Sequence, residues 1–394
     1  MVSRNLRHFR LFLAVADSGS PTLAAARCNL SQPAVTQAVA KLEREVGGAL
    51  FDRTRQGLAL TDRGRVLDSR LRRAMDRLDA ALAEVANRLT LTATTAQLQA
   101  VIALAETQNS SLAARQLGLA QPTVHRAVTH VEGDAGKPLF QRTPHGMIAT
   151  RACRQIARAA QLAFSEFDQA EADLAEFDGR DAGRIVIGCL PLSRSVILPE
   201  ALARFRQARP KLQVTLHDGP YMDMLRGLRR GEIDVIIGAL RQPAPVDDVI
   251  QEQLFADRLA CIARPGHPLT AETDIPLDVL AQHAWVVPRQ GTPTREQFDE
   301  LFASHGLDLP DSIVECGSIL LMREVLARSE LIGCISARQA AAEVDKGLVA
   351  RLHTRIASPA RAIGLTYRRG WVPTKAQSLM LDLLRDAAAA APPV

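Results

Sequence analysis

Apolar residues recur at helical spacing from the start of the chain. Leu6, Phe9, Phe12, Leu13 and Ala16 mark one face of a helix over residues 4–17. Leu23-Ala24-Ala25-Ala26-Arg27 is a second, shorter helical pattern that ends near Asn29-Leu30. The third begins at Ser31 with proline in its first turn, the usual chemistry of a helix start. Val35, Val39 and Leu42 form its apolar face, while Gln32, Ala34, Thr36, Gln37 and Lys41 form a polar face with little bulk. Two short helices joined by a tight turn, the second with an exposed polar N-terminal half, describe a helix-turn-helix. Leu50–Thr54 and Gly57–Thr61 read as a short, glycine-turned hairpin beside it, a wing that carries Arg53 and Arg55. Arg65 to Leu89 then runs without proline or glycine. Its stripe is Val66, Leu67, Leu71, Ala74, Leu78, Ala81, Leu82 and Val85.

After a polar break at residues 90–95 the pattern starts again. Leu98, Val101, Ile102 and Ala105 repeat Phe9, Phe12, Leu13 and Ala16, and Leu112-Ala113-Ala114 repeats Leu23-Ala24-Ala25. Ala120-Gln121-Pro122-Thr123-Val124 repeats the stretch from Ser31 to Val35, and Leu139-Phe140-Gln141-Arg142-Thr143 repeats Leu50–Thr54. The offset stays at 89 residues (31 to 120) without a gap, and about a third of the paired positions are identical. A unit this long reads as a duplicated domain. The second copy departs at the positions that matter for contact: Ala120 replaces Ser31, His125 and Arg126 replace Thr36 and Gln37, and Cys153 replaces Gly64. A second long helix follows, through Ile156, Ala160, Ala163, Phe167 and Leu174.

From Gly183 strands and helices alternate: Arg184–Gly188, then Ser195–Gln207, Leu212–Leu216, Met222–Arg230 and Ile233–Gly238. Such alternation predicts a parallel α/β sheet.

The run Leu23-Ala24-Ala25…Leu30-Ser31-Gln32-Pro33-Ala34-Val35-Thr36…Leu42-Glu43…Gly47…Leu50-Phe51-Asp52-Arg53…Leu60-Thr61…Gly64 resembles the winged helix-turn-helix of LysR-type transcriptional regulators. Gly231-Glu232-Ile233-Asp234, Ala263–Leu269 and Leu331–Ser336 are similar to the effector-binding domain of the same family, which resembles the two-lobed periplasmic solute-binding proteins. The resemblance implies a fold class of α/β with an all-α N-terminal part: two tandem winged helix-turn-helix domains and a two-lobed periplasmic-binding-protein-like domain. The expected divisions are residues 1–64 and 91–152 for the winged modules and 65–90 and 153–180 for the helices that follow them. Residues 183–390 are expected to form the effector domain, with lobe I over 183–262 and 341–390 and lobe II over 263–340. In the family the first long helix pairs with its twin from a second chain, so a homodimer or homotetramer is expected.

Charge sharpens this picture. The chain carries a net +5, and residues 1–90 alone hold 15 basic against 9 acidic side chains. A basic N-terminal part on a neutral body suits double-stranded DNA. DNA contacts are expected from Ser31, Gln32, Pro33, Ala34, Thr36, Gln37 and Lys41, with Gln32, Thr36 and Gln37 on base edges, and phosphate or minor-groove contacts from Arg53 and Arg55. As a second DNA reader the second copy would contribute Gln121, Pro122, Thr123, His125, Arg126 and Arg142; the alternative is a degenerate module kept for dimer architecture. No apolar run approaches the roughly 18 residues of a membrane span, and the N-terminus opens on an amphipathic helix, so a cytoplasmic protein without a membrane partner is expected.

The function expected is ligand-controlled transcription regulation. Loops after strands and at helix starts in the two lobes place Ser193, Arg194, Arg289, Thr292, Thr294, Arg295 and Ser318 as candidates to hold a small organic or aromatic acid. Six scattered cysteines without a C-x-x-C imply no metal site, and no cofactor is implied. Some family members sense peroxide through a disulfide, which makes a Cys316–Cys334 pair the redox alternative. A cytoplasmic solute-binding protein is the alternative from another class. Nucleophile elbows, phosphate loops, dinucleotide fingerprints and zincin motifs are all missing, so no enzyme is expected.

Overall fold

The computed structural model describes residues 4–144, 146–356 and 358–390. It divides into two compact units, one reaching to Arg184 and the other holding nearly all that follows.

In the first unit α1 (Leu6–Ser18), α2 (Pro21–Arg27), α3 (Gln32–Val46), the hairpin β1 (Phe51–Thr54) and β2 (Gly57–Leu60), and α4 (Asp62–Val85) follow in order. A single turn, α5 (Leu89–Thr92), comes next. The same order then recurs as α6 (Thr95–Thr107), α7 (Ser110–Leu117), α8 (Gln121–Ala135), the hairpin β3 (Phe140–Thr143) and β4 (Gly146–Ala149), and α9 (Arg151–Phe177). Local chemistry explains why the boundaries coincide at the 89-residue offset. Asn5 and Thr94 cap the first helix of each series, Ser20 and Asn109 the second, and Thr61 and Thr150 the long one. Gly57 and Gly146 open the second strand of each hairpin at φ +125° and +130°, where a Cβ would lie 2.6 Å from the Gly19 carbonyl oxygen and 2.7 Å from that of Gln108.

The two series share one hydrophobic core. Leu67, Leu71, Leu78 and Leu82 of α4 lie in the same buried cluster as Ile156, Ala160, Ala163 and Phe167 of α9. The two helices run antiparallel: Arg63 at the start of α4 pairs with Asp178 beyond the end of α9, and Gln155 near the start of α9 bonds Glu84 near the end of α4. The family resemblance reserved the α4 stripe for a twin from another chain. Here α9 of the same chain covers it, because the second series ends in a long helix with a matching stripe and acidic partners for Arg70.

The second unit contains two five-stranded sheets. The first is built from β5 (Arg184–Cys189), β6 (Gln213–His217), β7 (Val235–Ala239), β8 (Val249–Asp257) and, from late in the chain, β14 (Arg361–Arg368), in the order β6-β5-β7-β14-β8. Its helices are α10 (Pro191–Val196), α11 (Leu198–Ala208) and α12 (Tyr221–Arg230). The second sheet takes β9 (Leu259–Ala263), then α13 (Leu277–Ala281), β10 (Trp285–Val287), α14 (Pro293–Ser304), β11 (Ile313–Glu315), α15 (Ile319–Leu326), β12 (Ile332–Ser336), α16 (Ala337–Val344) and β13 (Ala350–Arg351), in the order β11-β10-β12-β9-β13. The chain returns to the first sheet as β14 (Arg361–Arg368) and ends in α17 (Lys375–Ala390).

Two expectations change here. The sheets are mixed: β14 runs antiparallel to β7 and β8, and β9 antiparallel to β12 and β13. The crossings also lie elsewhere. Leu259–Ile262 already pair with β12, and Ala350-Arg351 still pair with β9, so the chain changes sheets at Arg258 and over residues 352–360 instead of near Ile262 and Ser336. Lobe II therefore spans roughly 259–351, including α16, because backbone pairing to β9 holds those segments in the second sheet.

Candidate nucleic-acid interface and ligand cleft

The buried face of α3 is Val35, Ala38, Leu42 and Val46; Val35 and Ala38 close a small core with Leu11, Val15, Ala24 and Ala25. That packing fixes the opposite face outward. Ser31, Gln32, Pro33, Thr36, Gln37 and Lys41 are exposed and Ala34 is half-buried. The Gln32 amide donates to the Thr36 hydroxyl at 3.0 Å, and Lys41 lies 4.0 Å from Glu45 one turn on. Glu43 turns back and accepts from the Leu50 backbone N–H at 2.8 Å, which anchors the hairpin to the helix. Arg53 and Arg55 stand exposed on that hairpin.

The second series builds the same platform. Glu132 accepts from Leu139 N–H at 2.8 Å, as Glu43 does from Leu50, and Val124, Val128, Val131 and Ala135 are buried. Gln121, Pro122, Thr123, His125, Arg126 and Arg142 are exposed. The details differ. Gln121 is tied back to α7, donating to the Ser110 hydroxyl at 2.8 Å and accepting from that of Ser111 at 3.3 Å. Arg126 donates weakly to the Pro122 carbonyl at 3.4 Å, so its guanidinium has further donors to offer outward.

In the second unit the residues named from sequence do not form an anion site. Arg295 is buried and already bound to Asp299 and Glu315, both at 2.7 Å. Arg194 pairs with Asp218 at 3.1 Å and lines a hollow with Cys189, Leu198 and Leu216, all of the first lobe. The Ser193 hydroxyl is fully buried and donates to the Leu190 carbonyl at 2.7 Å. Thr292 donates to the Arg289 carbonyl at 2.6 Å and Ser318 caps α15, while Arg289 is exposed and Thr294 half-buried in the first turn of α14. These hydroxyls serve their own helix starts.

A different cluster carries unsatisfied charge. Arg241, just after β7, stacks its guanidinium 4.4 Å from the centre of the Tyr221 ring. Its backbone is clamped by Gln251, which accepts from Arg241 N–H at 2.8 Å and donates to its carbonyl at 2.7 Å. Arg361 opens β14, and its Nη1 is buried without a hydrogen-bond partner among the described residues. Burial lowers the pKa of both: that of Arg241 moves down, and that of Arg361 falls to about 10, with Arg241 adding repulsion and Glu296 of α14 opposing it. Burial also raises the Tyr221 phenol. Gln297 of α14 donates to the Pro359 carbonyl at 2.8 Å, which brings the second lobe to this place. Two desolvated guanidiniums and a phenol are a receptor for a carboxylate. The sequence signal for this cluster is an arginine directly after the third strand.

The sheet separates the two cysteines of the redox alternative, Cys316 and Cys334. Cys334 packs with Trp285 and Phe298, whereas Cys316 packs with Ile262 and Ile335 in another cluster, so strand alternation puts the two on opposite faces. All six cysteines are free thiols. No group of His, Cys, Asp or Glu suited to a metal occurs among the described residues, nor does a helix long and apolar enough to cross a membrane.

Comparison with known proteins bears on both sites. Residues 178–389 match the LysR substrate binding domain, and residues 6–65 and 95–154 each match the bacterial regulatory helix-turn-helix protein of the lysR family. The chain is 35% identical to the HTH-type transcriptional regulator GalR of Pseudomonas putida over 385 residues, 97% of each protein. It is 25% identical to the regulator PcaQ of Agrobacterium fabrum over 291 residues, 74% of this chain and 94% of that one. Among solved structures, CbnR, a LysR family transcriptional regulator, is similar with a TM-score of 0.51 at 20% identity, covering 75% of this chain and 99% of that one.

Proposed function

The chain belongs to the LysR family of bacterial transcriptional regulators, and we propose how its parts divide the task. It is a DNA-binding regulator controlled by a small-molecule effector. Each N-terminal series acts as a winged helix-turn-helix, with α3 and α8 as the base-reading helices and Arg53, Arg55 and Arg142 on the backbone. The observation that carries this reading is the exposed, short-chain polar face of α3 held outward by its buried Val35–Leu42 face. The protein works in the cytoplasm, as a homodimer or homotetramer.

The effector is a small organic acid bound between Tyr221, Arg241 and Arg361. The buried, unpartnered Nη1 of Arg361 supports this, since an anion would restore the interactions that burial removed. Retention of the purified protein on DNA from upstream of its own gene, with and without a panel of organic acids, tests both parts. Failure to bind any DNA overturns the first, and indifference to every acid overturns the second.

A further inference from the structure

We propose that a single chain carries a complete two-headed DNA reader, in which α4 and α9 join the two winged modules about a near two-fold axis and address a bipartite site with unlike halves. This rests on the reading that α3 and α8 both face DNA.

The pairing comes first. Two equivalent helices packed antiparallel are related by a two-fold axis between them. Each module holds its long helix in the same way, so that axis relates the modules and their reading helices as well. The charges at the seam show which pairing is favoured. Arg70 of α4, 3% exposed, contacts Glu166, Gln169 and Asp173 of α9. At the 89-residue offset those three positions correspond to Arg77, Ala80 and Glu84, and Arg70 itself corresponds to Ala159. Pairing α4 with the α4 of a second chain would set buried Arg70 against Arg77 and Ala80 in place of Glu166 and Gln169, with Glu84 standing where Asp173 does. Pairing α9 with another α9 would leave Glu166 and Asp173 facing Ala159. The first arrangement sets two guanidiniums against one carboxylate on each side and the second strands two carboxylates, so the seam favours the unlike pair that one chain supplies by itself.

The reading helices come second. Where α3 exposes Thr36 and Gln37, α8 exposes His125 and Arg126. Glutamine pairs in bidentate fashion with adenine and arginine with guanine, so the two heads cannot prefer the same half-site. Higher oligomers would then use surfaces other than the α4 stripe.

Selection of duplexes from a random pool by the full-length protein tests this. Two unlike half-sites are expected. Thr36→Ala with Gln37→Ala should relax base preference about 5- to 100-fold in one half only, and His125→Ala with Arg126→Ala in the other half only. Replacing His125→Thr and Arg126→Gln should make the selected halves alike. All these residues are exposed, so the fold is not at stake. Two identical halves in the wild-type selection, both relaxed by the α3 changes and untouched by the α8 changes, would overturn the proposal, because two chains would then be using α3 twice. A pool in which nothing is enriched would instead overturn the DNA-binding reading itself.

Discussion

Arg70 of α4 donates to Asp173 of α9 at 2.7 Å, and both ends of that contact belong to one chain. Its Nη1 reaches Glu166 at 3.2 Å and Gln169 at 2.5 Å, beside the leucines, alanines and Phe167 of the shared core. A buried guanidinium held by two carboxylates and an amide is a poor source of net stability, yet removing one partner leaves charge stranded.

Arg70→Met is therefore expected to destabilise the first unit by about 3–5 kcal/mol, through a stranded Asp173 and a Glu166 left with Arg73 at 3.3 Å. Adding Glu166→Leu and Asp173→Leu should recover most of that loss, since an apolar seam carries no desolvation cost. Urea denaturation midpoints of the three proteins decide this. A triple variant as weak as Arg70→Met would show that shape, and not charge, holds the seam.

On the DNA face, Gln37→Ala should cost about 1–3 kcal/mol and relax preference at one base position. Arg53→Ala should weaken all sequences alike and lower the salt slope by about 1. Titrations on matched and altered sites at several salt concentrations separate the two. Equal losses on every sequence from both variants would remove α3 from base readout.

Acid should act on the second unit through Glu252. Arg385 of α17 grips it with two hydrogen bonds of 2.8 and 2.9 Å, which hold this carboxyl below its ordinary range. A carboxylate with a lowered folded pKa contributes stability above its unfolded value near 4.5 and loses it as pH falls through the folded one. Arg385→Met should thus lower the melting temperature at pH 7 and narrow the gap to wild type below pH 4.5. A gap that stays constant from pH 7 to pH 3 would exclude this pair as the source.

Peroxide should not regulate the protein through Cys316 and Cys334. Burial pushes the Cys261 thiol up to about 12 and raises Cys334 opposite it, so neither is a thiolate near neutrality. The intact mass after mild peroxide treatment should be unchanged, and a loss of two hydrogens with a Cys316–Cys334 peptide would refute this.

How far the sequence revealed all this differs by element. The helical stripes, the 89-residue offset and the polar face of α3 were readable because each depends on local spacing and local capping. The partner of the α4 stripe was not, since periodicity shows that Leu67, Leu71 and Leu78 must be covered but not by which chain. The sheet crossings escaped for a similar reason: only the pairing of Ala350-Arg351 with β9 places them in the second lobe. Cys316 and Cys334 both sit in apolar surroundings, and only strand alternation sends them to opposite faces. Arg241 and Arg361 stand 120 residues apart in a chain rich in arginine, and nothing short of the fold distinguishes them from the paired Arg194 and Arg295.

Those two arginines give the last prediction. Arg361, lowered to about 10 by burial, is still protonated at neutral pH, so the folded apo protein carries a cost for holding it. An acid bound beside it and Arg241 would offset that cost and raise the melting temperature in proportion to occupancy. Arg361→Met removes both the cost and the receptor. It should leave the apo protein at least as stable as wild type while abolishing the response to organic acids. Thr292→Val, at a helix start whose hydroxyl already bonds the Arg289 carbonyl, should respond as wild type does. Thermal-shift screening of organic acids and matched neutral sugars against the three proteins reads this directly. If only neutral compounds stabilise the wild type, the charge requirement fails. If Arg361→Met keeps the full response and Thr292→Val loses it, the effector sits at the start of α14 and not in the arginine pair.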